Sequence, residues 1–260
     1  MKNVGVIPAA GLGTRLPLLP FSKELFPISY LEGSSNRDVE IRMIIEFLIN
    51  SLKGAGVSEL LIVINKEKTD ILRYLNDGAK FDAHIGYLLQ EIRAGMPDAI
   101  DQAFPWLSED VKVFFGMPDT IFTPENAFAD LSTFNQETNA DLSLGLFPTE
   151  SPYKYGMVKF DSDNRFIDTI DKPAKTELKF MWGIAVWNYK FSKFMHEFLQ
   201  SSNTKDETVL GTVFQSAHEA GLSVNVLPFN HGSYTDIGTP EELMRTMSFH
   251  NSQFFQNSNP

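Results

Sequence analysis

Cysteine is absent from this 260-residue chain, which excludes disulfides and thiolate metal sites and leaves oxygen or imidazole to hold any metal. Histidine is scarce too. His84, His196, His218, His231 and His250 show neither metal-ligand spacing nor a serine-elbow context, and none is assigned a role. Cations are also in deficit: 22 Lys and Arg stand against 33 Asp and Glu, for a formal charge of -11. Affinity for nucleic acid rests on clustered Lys and Arg, so no nucleic-acid partner is expected and any phosphate should belong to a small ligand held locally. No apolar run reaches membrane-spanning length, the stretch at 43–49 is broken by charge, and no charged-then-apolar segment opens the chain. The expectation is a soluble, cytoplasmic protein with no membrane partner.

What is present is a core-forming composition, 43% hydrophobic, arranged in alternating periods. Residues 4–7 form a short β-rich run closed by Pro8 and a glycine turn, which predicts a buried strand. From Ile41, apolar residues recur at helical spacing through Leu52 and stop at Gly54 and Gly56, which predicts an amphipathic helix. Strands at 60–64, 85–89, 111–115 and 142–147 alternate with helices at 70–75, after Met96 with Pro97 in its first turn, and at 124–135. This rhythm predicts an α/β fold, a mainly parallel sheet covered by helices on both faces. Past Phe147 the runs at 156–160, 166–170 and 183–187 are closely spaced β, followed by two helices and a last strand near Val224. No linker separates the halves, so the reading is one domain over 1–260: a nucleotide-binding half at 1–148, a β-rich lobe at 149–240, and a C-terminal helix and tail at 241–260, fraying from Gln256.

Several segments carry chemistry. Pro8-Ala9-Ala10-Gly11-Leu12-Gly13-Thr14-Arg15 puts small residues directly after a strand, where a backbone can approach a phosphate. It lacks the Lys-Ser/Thr ending of a Walker loop, and Leu16 stands where a dinucleotide fingerprint needs its third Gly; alone it is equally a tight turn. Asp119 follows the strand at 111–115, where open α/β sheets put their ligands, or is a helix cap, and Asp236 taken alone reads as a turn residue. Gln90 ends the strand at 85–89 with an amide able to donate to and accept from a base, or it is a surface Gln with no ligand. Phe194, Phe198, Phe254 and Phe255 suit a core or a subunit contact, which leaves a homo-oligomer open.

The first of these loops is followed by Pro20, Ser22, Lys23, Glu24, Leu25 and Pro27, and over that length it resembles the signature loop of the sugar-1-phosphate nucleotidylyltransferases. The resemblance is closest to bacterial glucose-1-phosphate uridylyl- and thymidylyltransferases, and further segments keep the family order to Gly238. These are Gly116-Met117-Pro118-Asp119, Tyr155-Gly156-Met157-Val158, Asp171-Lys172-Pro173, Met181-Trp182-Gly183 and Asp236-Ile237-Gly238-Thr239. The resemblance implies a Rossmann-like mixed sheet of the nucleotide-diphospho-sugar transferase type with a sugar-binding lobe. It implies that Ala10, Gly11, Gly13 and Thr14 cover the triphosphate, and that Gln90 and Gly95 meet the base. Arg15 would stabilise the leaving pyrophosphate, Lys23 would neutralise phosphate charge and Lys172 would hold the sugar phosphate. Gly156, Asp171 and Gly183 would line the sugar pocket, although the family usually carries Glu where Asp171 stands. Asp119 and Asp236 would share one Mg²⁺.

The expected reaction joins UTP or dTTP to glucose 1-phosphate, yielding nucleotide sugar and pyrophosphate. Three other readings remain beside it: cytidylyl transfer to a phosphorylated alcohol or sugar, a glycosyltransferase that uses a preformed nucleotide sugar, and a non-catalytic nucleotide-sugar module.

Overall fold

The computed structural model describes residues 2–11, 13, 19–32, 39–92, 94–201 and 207–257. Strand β1 (Lys2–Pro8) runs into the glycine loop, and beyond a 3-10 turn at Lys23–Leu25 come β2 (Pro27–Glu32) and β3 (Val39–Met43), paired antiparallel. Helix α1 (Ile44–Gly54) therefore starts after Ile41, where the sequence pattern had placed its beginning. The reason lies in burial. Ile44, Ile45, Leu48, Ile49 and Leu52 are all buried, whereas Ile41 is 45% exposed and pairs across the ribbon with Tyr30.

The alternation continues through β4 (Glu59–Ile64), α2 (Thr69–Leu75), β5 (His84–Leu89), α3 (Met96–Asp101) and β6 (Val111–Gly116). A short strand unforeseen in the sequence, β7 (Thr120–Thr123), delays α4 (Ala127–Thr138), which begins after Pro124 and passes Asn135 to stop where Asn139 turns left-handed. Next come β8 (Leu142–Pro148), β9 (Gly156–Phe160), β10 (Phe166–Asp171), β11 (Phe180–Asn188), α5 (Tyr189–Ser201), α6 (Leu210–Glu219), β12 (Val224–Pro228) and β13 (Ser233–Asp236). The last element is α7 (Pro240–Asn257); of the tail expected to fray from Gln256, residues 258–260 lie outside the described residues. The start of α7 is capped by Thr239, whose hydroxyl accepts the Glu242 amide at 3.3 Å and donates to the Glu242 carboxylate at 3.2 Å, just ahead of the buried Leu243.

The main sheet runs β10-β9-β11-β6-β1-β4-β5, with β8 paired to β11 and β12. Strands β6, β1, β4 and β5 are mutually parallel, and β11 reverses direction against β6 and β8. The fold is thus a mixed, mainly parallel central sheet flanked by helices. Adjacent residues of β6 show the layering, because side chains alternate across a strand. Phe114 packs in one core with Leu48 of α1 and Phe128 of α4, and Phe115 in the other with Phe191 of α5 and Phe214 of α6. No helix among the described residues is long and apolar enough to cross a membrane. With β1, β4, β5 and β6 parallel, the loops leaving their C-terminal ends gather along one edge, where open α/β sheets bind ligands.

Candidate active site

The convergence of Asp119 and Asp236 follows from a two-stranded ribbon outside the main sheet. Strand β13 pairs antiparallel with β7, placing Asp236 opposite Thr120, and the Ile237 amide donates to the Asp119 carbonyl at 3.1 Å. Asp119 thus lies between β6 and β7, and Asp236 closes a ribbon strand rather than one of the main sheet. Lys23 reaches in from the 3-10 turn and ion-pairs with Asp119 through Oδ2. Asp119 is buried, and its other oxygen, Oδ1, has no hydrogen-bond partner among the described residues. Burial pulls the Lys23 ammonium down, but Asp119, Glu24 and Asp236 outweigh it and hold the group above the ordinary lysine range, firmly charged.

A divalent cation suits this donor set. A buried carboxylate oxygen without a partner, beside a second carboxylate, is what Mg²⁺ uses when it takes one or two protein ligands and fills its remaining positions from water and phosphate. Among the described residues no group of three or more His, Asp or Glu side chains forms a closed metal cage, so an ion here would depend on substrate oxygens.

Asp119, Asp236 and Lys23 border a cavity of about 480 Å³ that Gly156, Asp171 and Lys172 line as well. Lys172 sits in left-handed backbone (φ 44°), its amide bonded to the Tyr155 carbonyl, and its ammonium lies 3.6 Å from Asp171. Lys154 also borders the cavity; it bonds Glu242 of α7, and that carboxylate holds its ammonium above the usual lysine range. Sequence reasoning missed Lys154. The available signal was a basic residue directly before Tyr155-Gly156. Tyr234 borders the cavity as well; burial, with Asp119 and Asp236 nearby, pushes its phenol up and keeps it neutral.

The glycines have identifiable neighbours. A Cβ on Gly156 would lie 2.3 Å from Nε1 of Trp182, whose indole borders the cavity and packs edge-on against Phe214. Gly156→Ala is therefore expected to cost about 1–3 kcal/mol through overpacking. Thermal unfolding of Gly156→Ala, Trp182→Leu and the double variant checks this, the double losing less than the sum of the singles. Gly183 does not border the cavity; it makes room for the Tyr234 ring, 2.5 Å from where a Cβ would stand.

The loops after β1 and β5 lie toward the other end of the same sheet edge. The buried Ala10 offers its carbonyl to Asn65 Nδ2 at 2.7 Å, while Gly11 is exposed with open space around it. Gly13 adopts a left-handed φ of 67°, and a Cβ there would lie 3.6 Å from the Lys23 stem, so the glycine loop and Lys23 are adjacent. Thr14 and Arg15 lie outside the described residues. Gln90 is buried, donating its backbone N–H to the Ile64 carbonyl and its side-chain Nε2 to Asp98 Oδ2 at 2.6 Å. Gly95, at φ 113°, packs beneath Glu207 and Thr208; it and Gln90 stand outside the cavity bordered by Asp119, while the next residue, Met96, borders it.

A family model described as "Nucleotidyl transferase" matches residues 4–253. The chain belongs to that family. It is 25% identical over 264 residues to the "Bifunctional protein GlmU" of Methanococcus vannielii, covering 98% of this chain and 56% of that one. It is also 25% identical to the glucose-1-phosphate thymidylyltransferase of Xanthomonas campestris, covering 95% and 80% of the two chains. The chain thus spans about half the length of its GlmU relatives. A crystal structure of a Bacillus anthracis protein named as a candidate glucose-1-phosphate thymidylyltransferase, in complex with a sucrose, shares the fold at a TM-score of 0.80 and 18% identity, covering 96% and 95% of the chains.

Proposed function

We propose that this member of the nucleotidyl transferase family transfers a nucleotidyl group from UTP or dTTP to a hexose 1-phosphate, glucose 1-phosphate foremost, and releases pyrophosphate. The observation that carries the reading is the Lys23–Asp119–Asp236 cluster opening onto a cavity that Lys172 and Asp171 also border. A sugar phosphate seated in that cavity shares it with the cluster. An oxygen of the sugar phosphate attacks the α-phosphorus in line; one P–O bond forms, the α–β bridging bond breaks, and pyrophosphate leaves with the electron pair. The acceptor is a phosphate monoester already ionised near neutral pH, so no protein nucleophile is needed, and positioning with charge stabilisation provides the acceleration.

Lys23 and Lys172 supply cations to the cavity, Arg15 is assigned to the leaving pyrophosphate, and Gly156 lets the sugar approach the backbone. The loop of Ala10, Gly11, Gly13 and Thr14 covers the triphosphate, and Gln90 with Gly95 stands at the base. When bound between Asp119 and Asp236, Mg²⁺ would add Lewis-acid neutralisation of the phosphates. Nucleoside triphosphates and Mg²⁺ are abundant in the cytoplasm, where we place the protein. A matrix of UTP, dTTP, CTP, ATP and GTP against several sugar 1-phosphates with Mg²⁺, read as pyrophosphate release, tests the proposal. Turnover confined to UTP or dTTP with a hexose phosphate is expected; turnover only of CTP with a phosphorylated alcohol would replace it.

A further inference from the structure

Asn65 and Lys68, between β4 and α2, and Asp70, in the first turn of α2, make three separate contacts with the signature loop, one on its way in and two on its way out. On the way in, buried Asn65 donates Nδ2 to the Ala10 carbonyl at 2.7 Å and fixes its own amide by accepting from Glu67 N at 2.8 Å. On the way out, the Asp70 carboxylate takes both donors of Ser22: the amide at 2.6 Å on Oδ2 and the hydroxyl at 2.7 Å on Oδ1. Two residues earlier, just ahead of α2, Lys68 grips both oxygens of Glu24, at 2.6 and 2.7 Å, in a pair whose side chains are 8% and 1% exposed. Lys23 stands between the two residues so held, and its own side chain points to Asp119.

We propose that Asn65, Lys68 and Asp70 are positioning residues that clamp both arms of the signature loop and thereby set where the Lys23 ammonium stands; the catalytic consequence rests on the transferase reading above. A lysine on an unanchored loop would carry its ammonium to many positions as the backbone moved. Holding the residues on both sides of Lys23 fixes where its side chain starts, and the Asp119 ion pair then selects its direction. The arrangement of bonds fits this role better than simple adhesion. A single ion pair would hold the turn down, but contacts at Ser22 and Glu24 flank Lys23 and leave its backbone little room to pivot. The Glu24–Lys68 pair is buried, which gives it geometric definition more than net stability. A side chain serving only to stabilise α2 would have no need to reach across to the loop.

The test compares Asp70→Ala, Asn65→Ala and the charge-free pair Glu24→Gln/Lys68→Met, the last chosen because removing Lys68 alone would strand a buried carboxylate. Two readouts are needed: amide hydrogen exchange of peptides covering 19–26, and steady-state pyrophosphate release with nucleotide binding measured separately. Exchange over 19–26 should quicken about tenfold or more in Asp70→Ala, whose Ser22 amide loses its acceptor. Catalysis should fall through kcat on the order of 10²-fold, with nucleotide Kd moving far less. Asp70→Asn, which keeps one acceptor oxygen, should recover part of both. Unchanged exchange at 19–26 in all three variants, or faster exchange with wild-type kcat, would overturn the proposal. An unaltered protein that releases no pyrophosphate from any substrate pair would instead sink the transferase reading, and the exchange data would still decide the clamp.

Discussion

Asp119→Asn and Asp236→Asn should each lower kcat/KM on the order of 10³-fold, and the double variant should be little worse than the poorer single. The ribbon of β7 and β13 holds the two carboxylate segments together through the Thr120–Asp236 pairing and the Ile237–Asp119 hydrogen bond. If both carboxylates serve one ion, losing either empties the site, and the second substitution has little left to remove. Mn²⁺ or excess Mg²⁺ should restore part of each single variant's activity, as expected for weakened coordination. A purely structural role predicts something else: multiplicative losses, with lowered thermal stability that no metal alters. Steady-state kinetics and thermal melts, each over a metal titration, separate the two outcomes.

Lys23→Met should produce a loss of similar size, again on the order of 10³-fold in kcat/KM, by removing a fixed cation from the transferring phosphates. Its effect on stability should depend on conditions. In the unaltered protein the Lys23 ammonium neutralises buried Asp119. Without it the carboxylate is left uncompensated, at a cost of about 3–5 kcal/mol. A divalent cation can take over that neutralisation, so Mg²⁺ should raise the melting temperature of Lys23→Met more than that of the unaltered protein. Equal Mg²⁺ responses in the two proteins would show that the ammonium and the ion do not share the Asp119 charge.

The alternating strands and helices of the first half were legible because each carries its own period, as do the apolar stripe of α1 and the run of β6. The motif residues Lys23, Asp119, Gly156, Asp171, Lys172 and Asp236 were legible one segment at a time, and the fold brings them to one cavity. What joins them was not. Strand β7 has only four residues, too few to display a period, so nothing local announced the ribbon that carries Asp119 to Asp236. The Ser22–Asp70 and Glu24–Lys68 contacts span dozens of positions and involve residue types that ordinarily read as solvated helix-start charges. Gly183 invited a sugar contact, yet its missing side chain is explained by the Tyr234 ring. Gln90 was expected at a base edge or on the surface; it is buried, and one face of its amide is already engaged by Asp98.

The central claim, nucleotidyl transfer to a sugar phosphate, is tested most directly by ³¹P NMR of the purified protein with Mg²⁺, dTTP or UTP, and glucose 1-phosphate, with no pyrophosphatase present. The account predicts that the monoester signal of the sugar phosphate disappears as the paired resonances of a pyrophosphate diester grow, with one free pyrophosphate released per diester formed. Orthophosphate as the product, or pyrophosphate appearing at the same rate when the sugar phosphate is omitted, would contradict it and show a hydrolase in place of a transferase.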